Sequence, residues 1–129
     1  MRQPTLARSL RHAVDGIVHT IRTQRNARIH VAVSLAVIAL GIFLSLDRVS
    51  WCMLALAIGA VLAGEAINTT VEALVDLLEP EFHERAKIAK DVAAGAVLLL
   101  AATAVVVGLL VLGPPLWHLI AASLPSNLP

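Results

Sequence analysis

The chain holds no tyrosine and only four aromatic side chains, Phe43, Trp51, Phe82 and Trp117, in 129 residues. So sparse a set cannot form the platform on which nucleobases stack. The single cysteine, Cys52, excludes an intramolecular disulfide and a cysteine-based zinc site, and in its apolar run it reads as a small hydrophobe. Charge is scarce too: Asp, Glu, Lys and Arg make up 15% of the residues, against about 25% in soluble domains. No glycine-rich phosphate loop, kinase catalytic loop or dinucleotide fingerprint occurs, which excludes the ordinary soluble nucleotide-binding folds. What fills the chain instead is Ala, Leu, Val and Ile. Hydrophobic residues reach 58%, with a mean hydropathy of +0.83. That composition is foreign to a water-soluble domain, and the length leaves room for one membrane domain, 1–129.

Three apolar stretches are candidates to cross a bilayer. Each must be helical, because unpaired backbone groups in hydrocarbon cost several kcal/mol apiece. Residues 29–46 carry no charge over 18 residues; at about 1.5 Å per residue they span about 27 Å, close to a hydrocarbon core of about 30 Å. A short turn at Asp47-Arg48 leads to a second helix over 50–78, uncharged as far as Gly64 and polar on one side beyond it. The third covers 86–112, with a cytoplasmic start and 21 uncharged residues from Val92 to Leu112. Gly113-Pro114-Pro115 is expected to end it, leaving 113–129 as a tail, frayed from Ser123. Ahead of all three, Leu6, Leu10, Ala13, Val14, Ile17, Val18 and Ile21 form one helical stripe within 5–25, with arginines, His12 and His19 on much of the remainder. This fits an amphipathic helix lying in the headgroup layer; the alternative is a cytosolic helix packed on the inner loop. The expected fold class is therefore all-α and integral to the membrane, with three transmembrane helices and an N-terminal surface helix.

The near-zero net charge conceals an asymmetry that sets orientation. With the N-terminus cytoplasmic, nine of the ten Lys and Arg residues fall on the inner side and only Arg48 on the outer. Trp51 and Trp117 then sit together at the outer interface, where indole rings commonly lie. The charged lead-in and the long first apolar run suit an uncleaved anchor better than a signal peptide. A multi-pass protein of the inner, cytoplasmic membrane is expected.

Glu65, Asn68, Glu72 and Asp76 break the apolar background. At 100° per residue their spacing places all four on one helix face, with Glu65 roughly 20 Å up the axis from Leu78 and Asp76 near the inner surface. A charge at the bilayer centre costs at least about 2.5–3.5 kcal/mol, so such groups normally face a bundle interior, a metal or a water-filled cavity. No basic residue lies at equal depth to neutralise three acids. Magnesium, which takes hard oxygen ligands and substrate phosphates, fits the requirement. Lys87, Lys90 and Asp91 follow the loop Glu79-Pro80-Glu81-Phe82-His83-Glu84 at the cytoplasmic mouth of the stripe, which suggests a phosphorylated, metal-bound soluble ligand. A polar network that merely fixes helix register is the plainer alternative.

The run from Glu65 to Asp76 resembles the E-x-x-N-(S/T)-x-x-E-x-x-(V/L)-D motif of the small prokaryotic integral-membrane diacylglycerol kinase family. Ala89-Lys90-Asp91 with Ala94-Gly95-Ala96-Val97 resembles its A-K-D motif and small-residue third helix, and Glu81-Phe82-His83 its E-x-H loop. Asn26-Ala27-Arg28-Ile29-His30 is similar to the N-x-R-I-H opening of the Gram-positive-type branch, whose usual acceptor is undecaprenol. The likeness extends over residues 8 to 112. It implies a homotrimer that transfers the γ-phosphoryl group of Mg-ATP to a lipid hydroxyl, of undecaprenol or diacylglycerol, with no nucleic-acid partner. Glu65 would be the general base, Glu72 a magnesium ligand, and Asn68 and Asp76 supports. Glu81, His83, Lys90 and Asp91 would contact the nucleotide.

The chain departs from the family pattern at Gln24, where a second metal-binding glutamate is usual. Gln24 can offer magnesium a carbonyl oxygen but no charge. Two rival functions compete with the lipid kinase: a small ion- or proton-coupled transporter relaying cations through the acids, and a non-enzymatic scaffold whose stripe specifies trimer packing. Neither needs the Lys90-Asp91 pair. Small residues Gly59, Ala63, Gly64, Ala94 and Gly95 are expected to permit close helix contact.

Overall fold

A computed structural model describes residues 5–78, 81 and 83–123 as four helices: α1 (Leu6–Thr23), α2 (Arg25–Phe43), α3 (Arg48–Leu78) and α4 (Glu84–Ser123). The last three are long and apolar enough to cross a membrane. Residues 1–4, 79, 80, 82 and 124–129 lie outside the described part, and with them Glu79, Pro80 and Phe82 of the loop and the last six residues of the expected tail. The protein is an all-α membrane protein.

Helix α1 has the expected stripe. Leu6, Leu10, Val14 and Ile17 are all exposed, so most of the apolar face is uncovered within the protomer. Only the C-terminal end of α1 packs against the other helices, where Thr20 is buried and Ile21 half-buried. Gln24 is at once the residue that ends α1 and the one that precedes α2; its extended backbone (φ −96°, ψ 122°) makes the bend. Helix α2 thus starts at Arg25, ahead of the uncharged run that begins at Ile29, and closes at Phe43.

The turn between α2 and α3 is built from local hydrogen bonds. Ser45 takes a left-handed conformation (φ 53°), its N–H donates to the Ile42 carbonyl at 3.1 Å, and the Leu46 N–H donates to the Gly41 carbonyl at 3.2 Å. These two bonds satisfy carbonyls that the helix end would leave free. Asp47 then caps α3: its carboxylate accepts from the N–H groups of Val49 (2.7 Å) and Ser50 (3.1 Å) and from the Ser50 hydroxyl (2.8 Å). Leu54, Val111 and Leu112 form the buried core towards this end of the bundle, flanked by Val37, Leu40, Leu44, Leu46, Val107 and Leu116.

Helices α3 and α4 are the most extensively packed pair. Gly64 is the close-approach point: a Cβ there would come within 2.5 Å of Leu100 Cδ1. Gly59 and Gly95, expected to serve the same purpose, face open space within the protomer.

One expectation fails. Gly113-Pro114-Pro115 does not end the third span; α4 continues through both prolines to Ser123. Gly113 has no Cβ to clash with the Pro114 ring, which removes much of the usual penalty on the residue before proline. Proline is also better tolerated in membrane helices, where neighbouring groups can satisfy the freed carbonyls.

Candidate active site

Of α3's buried residues, the polar ones cluster in its inner half: Glu65, Asn68 and Thr69. Glu65 is only 2% exposed, and Thr69 donates its hydroxyl to the Glu65 carbonyl at 2.8 Å, so the side chain projects into the protein and not towards lipid. Its Oε1 has no hydrogen-bond partner among the described residues; the nearest polar atom in contact is Nε2 of His30 on α2, at 3.3 Å. Glu65 also borders an apolar cavity of about 300 Å³ that Ile17, Thr20 and Ile21 of α1 roof and Gly59, Ala63 and Ala66 of α3 floor. The Glu65 side chain thus stands between His30 of α2 and an apolar cavity that lies under the amphipathic helix α1.

Two turns below, Glu72 is held by amides. Gln24 donates its Nε2 to Oε2 at 2.9 Å, and Asn68 donates its Nδ2 to Oε1 at 2.9 Å. The bend at Gln24 is what brings a residue 48 positions away onto α3. Asn68 Oδ1 is left buried and unpartnered. One turn nearer the surface, Asp76 pairs with the Lys90 ammonium of α4. That pair joins the end of α3 to the beginning of α4, so the A-K-D motif and the acidic stripe do meet in space.

The remaining expected residues stand apart. Asp91 is exposed and makes no recorded side-chain bond. Glu81 is exposed in the loop, and His83 uses its Nδ1 to accept from the Arg85 N–H at 3.2 Å. His30 was not singled out as a site residue by sequence. Its signal was faint: one histidine near the start of an uncharged run, with its facing partner 35 residues on.

Among the described residues no three His, Cys, Asp or Glu side chains converge to hold a metal ion. A cation resident on the protein alone therefore does not fit, since Glu72 with its two amide neighbours offers too little charge and too few oxygens to replace its water. A cation that brings its own phosphate ligands does fit: magnesium commonly uses one or two carboxylates and completes its shell with water and phosphate. The unpartnered Asn68 Oδ1 is a further hard donor beside it.

These features define an enzyme of the membrane-embedded kinase class once the comparisons are considered. A family model for prokaryotic diacylglycerol kinase matches residues 11–112. A diacylglycerol kinase of Synechocystis sp. is 46% identical over 117 residues, covering 90% of this chain and 67% of that protein. An undecaprenol kinase of Bacillus subtilis is 40% identical over 109 residues, covering 84% of this chain and 89% of that protein. A diacylglycerol kinase of Escherichia coli is 36% identical over 76 residues, 59% of this chain and 62% of that protein. The protein is a lipid kinase, with ATP as phosphoryl donor. Specifically, the chain belongs to the prokaryotic diacylglycerol kinase family. The matches give no support to the ion-coupled transporter or to a scaffold without activity.

Proposed function

We propose that this kinase transfers the γ-phosphoryl group of Mg-ATP to the hydroxyl of a membrane lipid alcohol, an isoprenol such as undecaprenol or diacylglycerol, at the cytoplasmic face of the inner membrane. The observation that carries it is Glu65, a buried carboxylate whose Oε1 accepts no hydrogen bond and faces His30, on a residue that borders an apolar cavity. The acceptor's chain lies in apolar surroundings while its hydroxyl meets the Glu65 carboxylate, which takes the proton as the oxygen bonds to the γ-phosphorus and the bond from that phosphorus to the β-phosphate oxygen breaks, releasing ADP. Phosphoryl transfer of this kind asks mainly for positioning and charge neutralisation.

Glu72 and Asn68 would hold the magnesium that accompanies ATP, with Gln24 as their brace. When bound, the cation offsets charge on the phosphates. Lys90, set by Asp76, addresses the phosphates from the inner rim, and Asp91, Glu81 and His83 bound the nucleotide around it. The basic residues crowded at the inner ends of the helices support a cytoplasmic N-terminus. A homotrimer fits the outward-facing side chains of the lone protomer, Leu35, Leu56, Leu98 and Leu99 among them, part of which neighbouring copies cover.

The test is ATP consumption by purified protein in mixed micelles, with undecaprenol, diacylglycerol and ceramide offered together. Turnover that requires a lipid alcohol supports the proposal, and the phosphorylated product names the acceptor. ATP consumption without any lipid alcohol, or none with all three, overturns it.

A further inference from the structure

We propose that Gln24 completes Glu72 without a cation, so that a divalent metal enters this site only together with the nucleotide and leaves with it. The inference rests on the reading of Glu72 as the residue that receives the metal.

Each Glu72 oxygen accepts one amide hydrogen bond of 2.9 Å, from Gln24 on one side and Asn68 on the other. Hydrogen bonds to an ionised acceptor are about twice as strong as neutral ones, and the pair is partly buried. A carboxylate so held gains little from a free metal ion. The ion would have to displace or turn both amides, shed strongly held water, and settle for one negative charge. Asp76, the next acid along the face, is already paired with Lys90. Glu65 is a turn and more deeper and shares no donor with Glu72.

A metal already chelated by a triphosphate meets the same amides but is spared most of the dehydration and the shortage of charge. Its charge is largely balanced, most of its shell is filled, and one oxygen from Glu72 and one from Asn68 suffice. Gln24 is fixed where it stands because it is the bend between α1 and α2, so the brace exists before any ligand arrives. Metal and nucleotide thereby behave as a single ligand, and free Mg2+ in excess of ATP brings no further activation.

The experiment is equilibrium Mn2+ binding, followed by electron paramagnetic resonance, on the full chain in nanodiscs with and without a non-hydrolysable ATP analogue. Without nucleotide, the wild-type protein is expected to take up no stoichiometric Mn2+ and to show no Mn2+-dependent rise in Tm. Gln24→Glu is expected to take up about one Mn2+ per chain, with a rise in Tm, because two facing carboxylates need a cation between them. A saturable nucleotide-independent site in the wild-type protein that Glu72→Gln abolishes overturns the proposal alone. So does a Gln24→Glu variant that folds and takes up no metal. Nucleotide-dependent Mn2+ binding that survives Glu72→Gln unchanged instead removes Glu72 from the metal site, and the proposal with it.

Discussion

Nε2 of His30 lies 3.3 Å from Oε1 of Glu65, placing an imidazole from α2 against the one fully buried carboxylate of α3. Glu65→Gln keeps the shape of the side chain and removes its capacity to accept a proton. General-base catalysis is worth about 10²–10⁴-fold, so lipid phosphorylation should fall by that order while the variant stays folded. His30→Ala should cost less, about tenfold in kcat, which corresponds to about 1.4 kcal/mol. Steady-state kinetics on both variants check this. Wild-type turnover by folded Glu65→Gln removes the residue from the base role.

Lys90 and Asp76 make an ion pair between side chains that are 36% and 66% exposed. Exposed pairs contribute about 0–1 kcal/mol, so Lys90→Ala should leave Tm nearly unchanged. If Lys90 meets the nucleotide phosphates, KM for ATP should rise at least about tenfold, the equivalent of about 1.4 kcal/mol. Asp76→Asn, which frees the lysine without removing it, should perturb KM less. A Lys90→Ala variant with unaltered KM for ATP would argue against nucleotide contact.

Asp47, on the turn between α2 and α3, has its carboxyl held below the ordinary value by the Ser50 N–H first, then the Ser50 hydroxyl and the Val49 N–H. A depressed folded-state pKa means the ionised cap stabilises the fold above the pKa of the unfolded chain, and the contribution is lost as pH falls through the folded value. Asp47→Ala should therefore lower Tm at neutral pH, and the gap from wild type should shrink in acid. Thermal scans in detergent across the carboxylate range measure it. A gap of constant size would mean the ionised form does not carry the cap.

Gly64 is where α3 meets Leu100 of α4, with no space for a Cβ unless that leucine moves. Overpacking typically costs about 1–3 kcal/mol, so Gly64→Val should lower Tm and, through its neighbour Glu65, activity. The double variant with Leu100→Ala should recover part of the loss. Absence of any recovery would place the strain elsewhere.

The polar ladder of α3 and the surface helix α1 were legible because each is a single-helix pattern that the period of 3.6 residues makes visible. The kinase motifs were legible for the same reason, as fixed spacings on α3 and α4. What escaped depends on two elements meeting. The contact of His30 with Glu65 is a register between α2 and α3, and the donation from Gln24 to Glu72 depends on the angle of the bend between α1 and α2. Neither leaves a trace in spacing. The passage of α4 through Pro114 and Pro115 was misjudged because local breaker rules are calibrated on water-exposed helices, whereas here the bilayer penalises any interruption of the helix.

Eleven residues of unbroken α3 separate Glu65 from Asp76, a rise of about 16 Å. If the hydroxyl were phosphorylated at the level of Asp76, the acceptor would have to be lifted part-way out of the bilayer, at about 0.8 kcal/mol for every methylene brought into water. The staggered ladder reverses that demand. On the proposed roles of Glu65 and Lys90, the water-soluble partner would descend along a polar track while the greasy one stayed at its resting depth, so that one helix would settle where in the membrane two immiscible substrates meet.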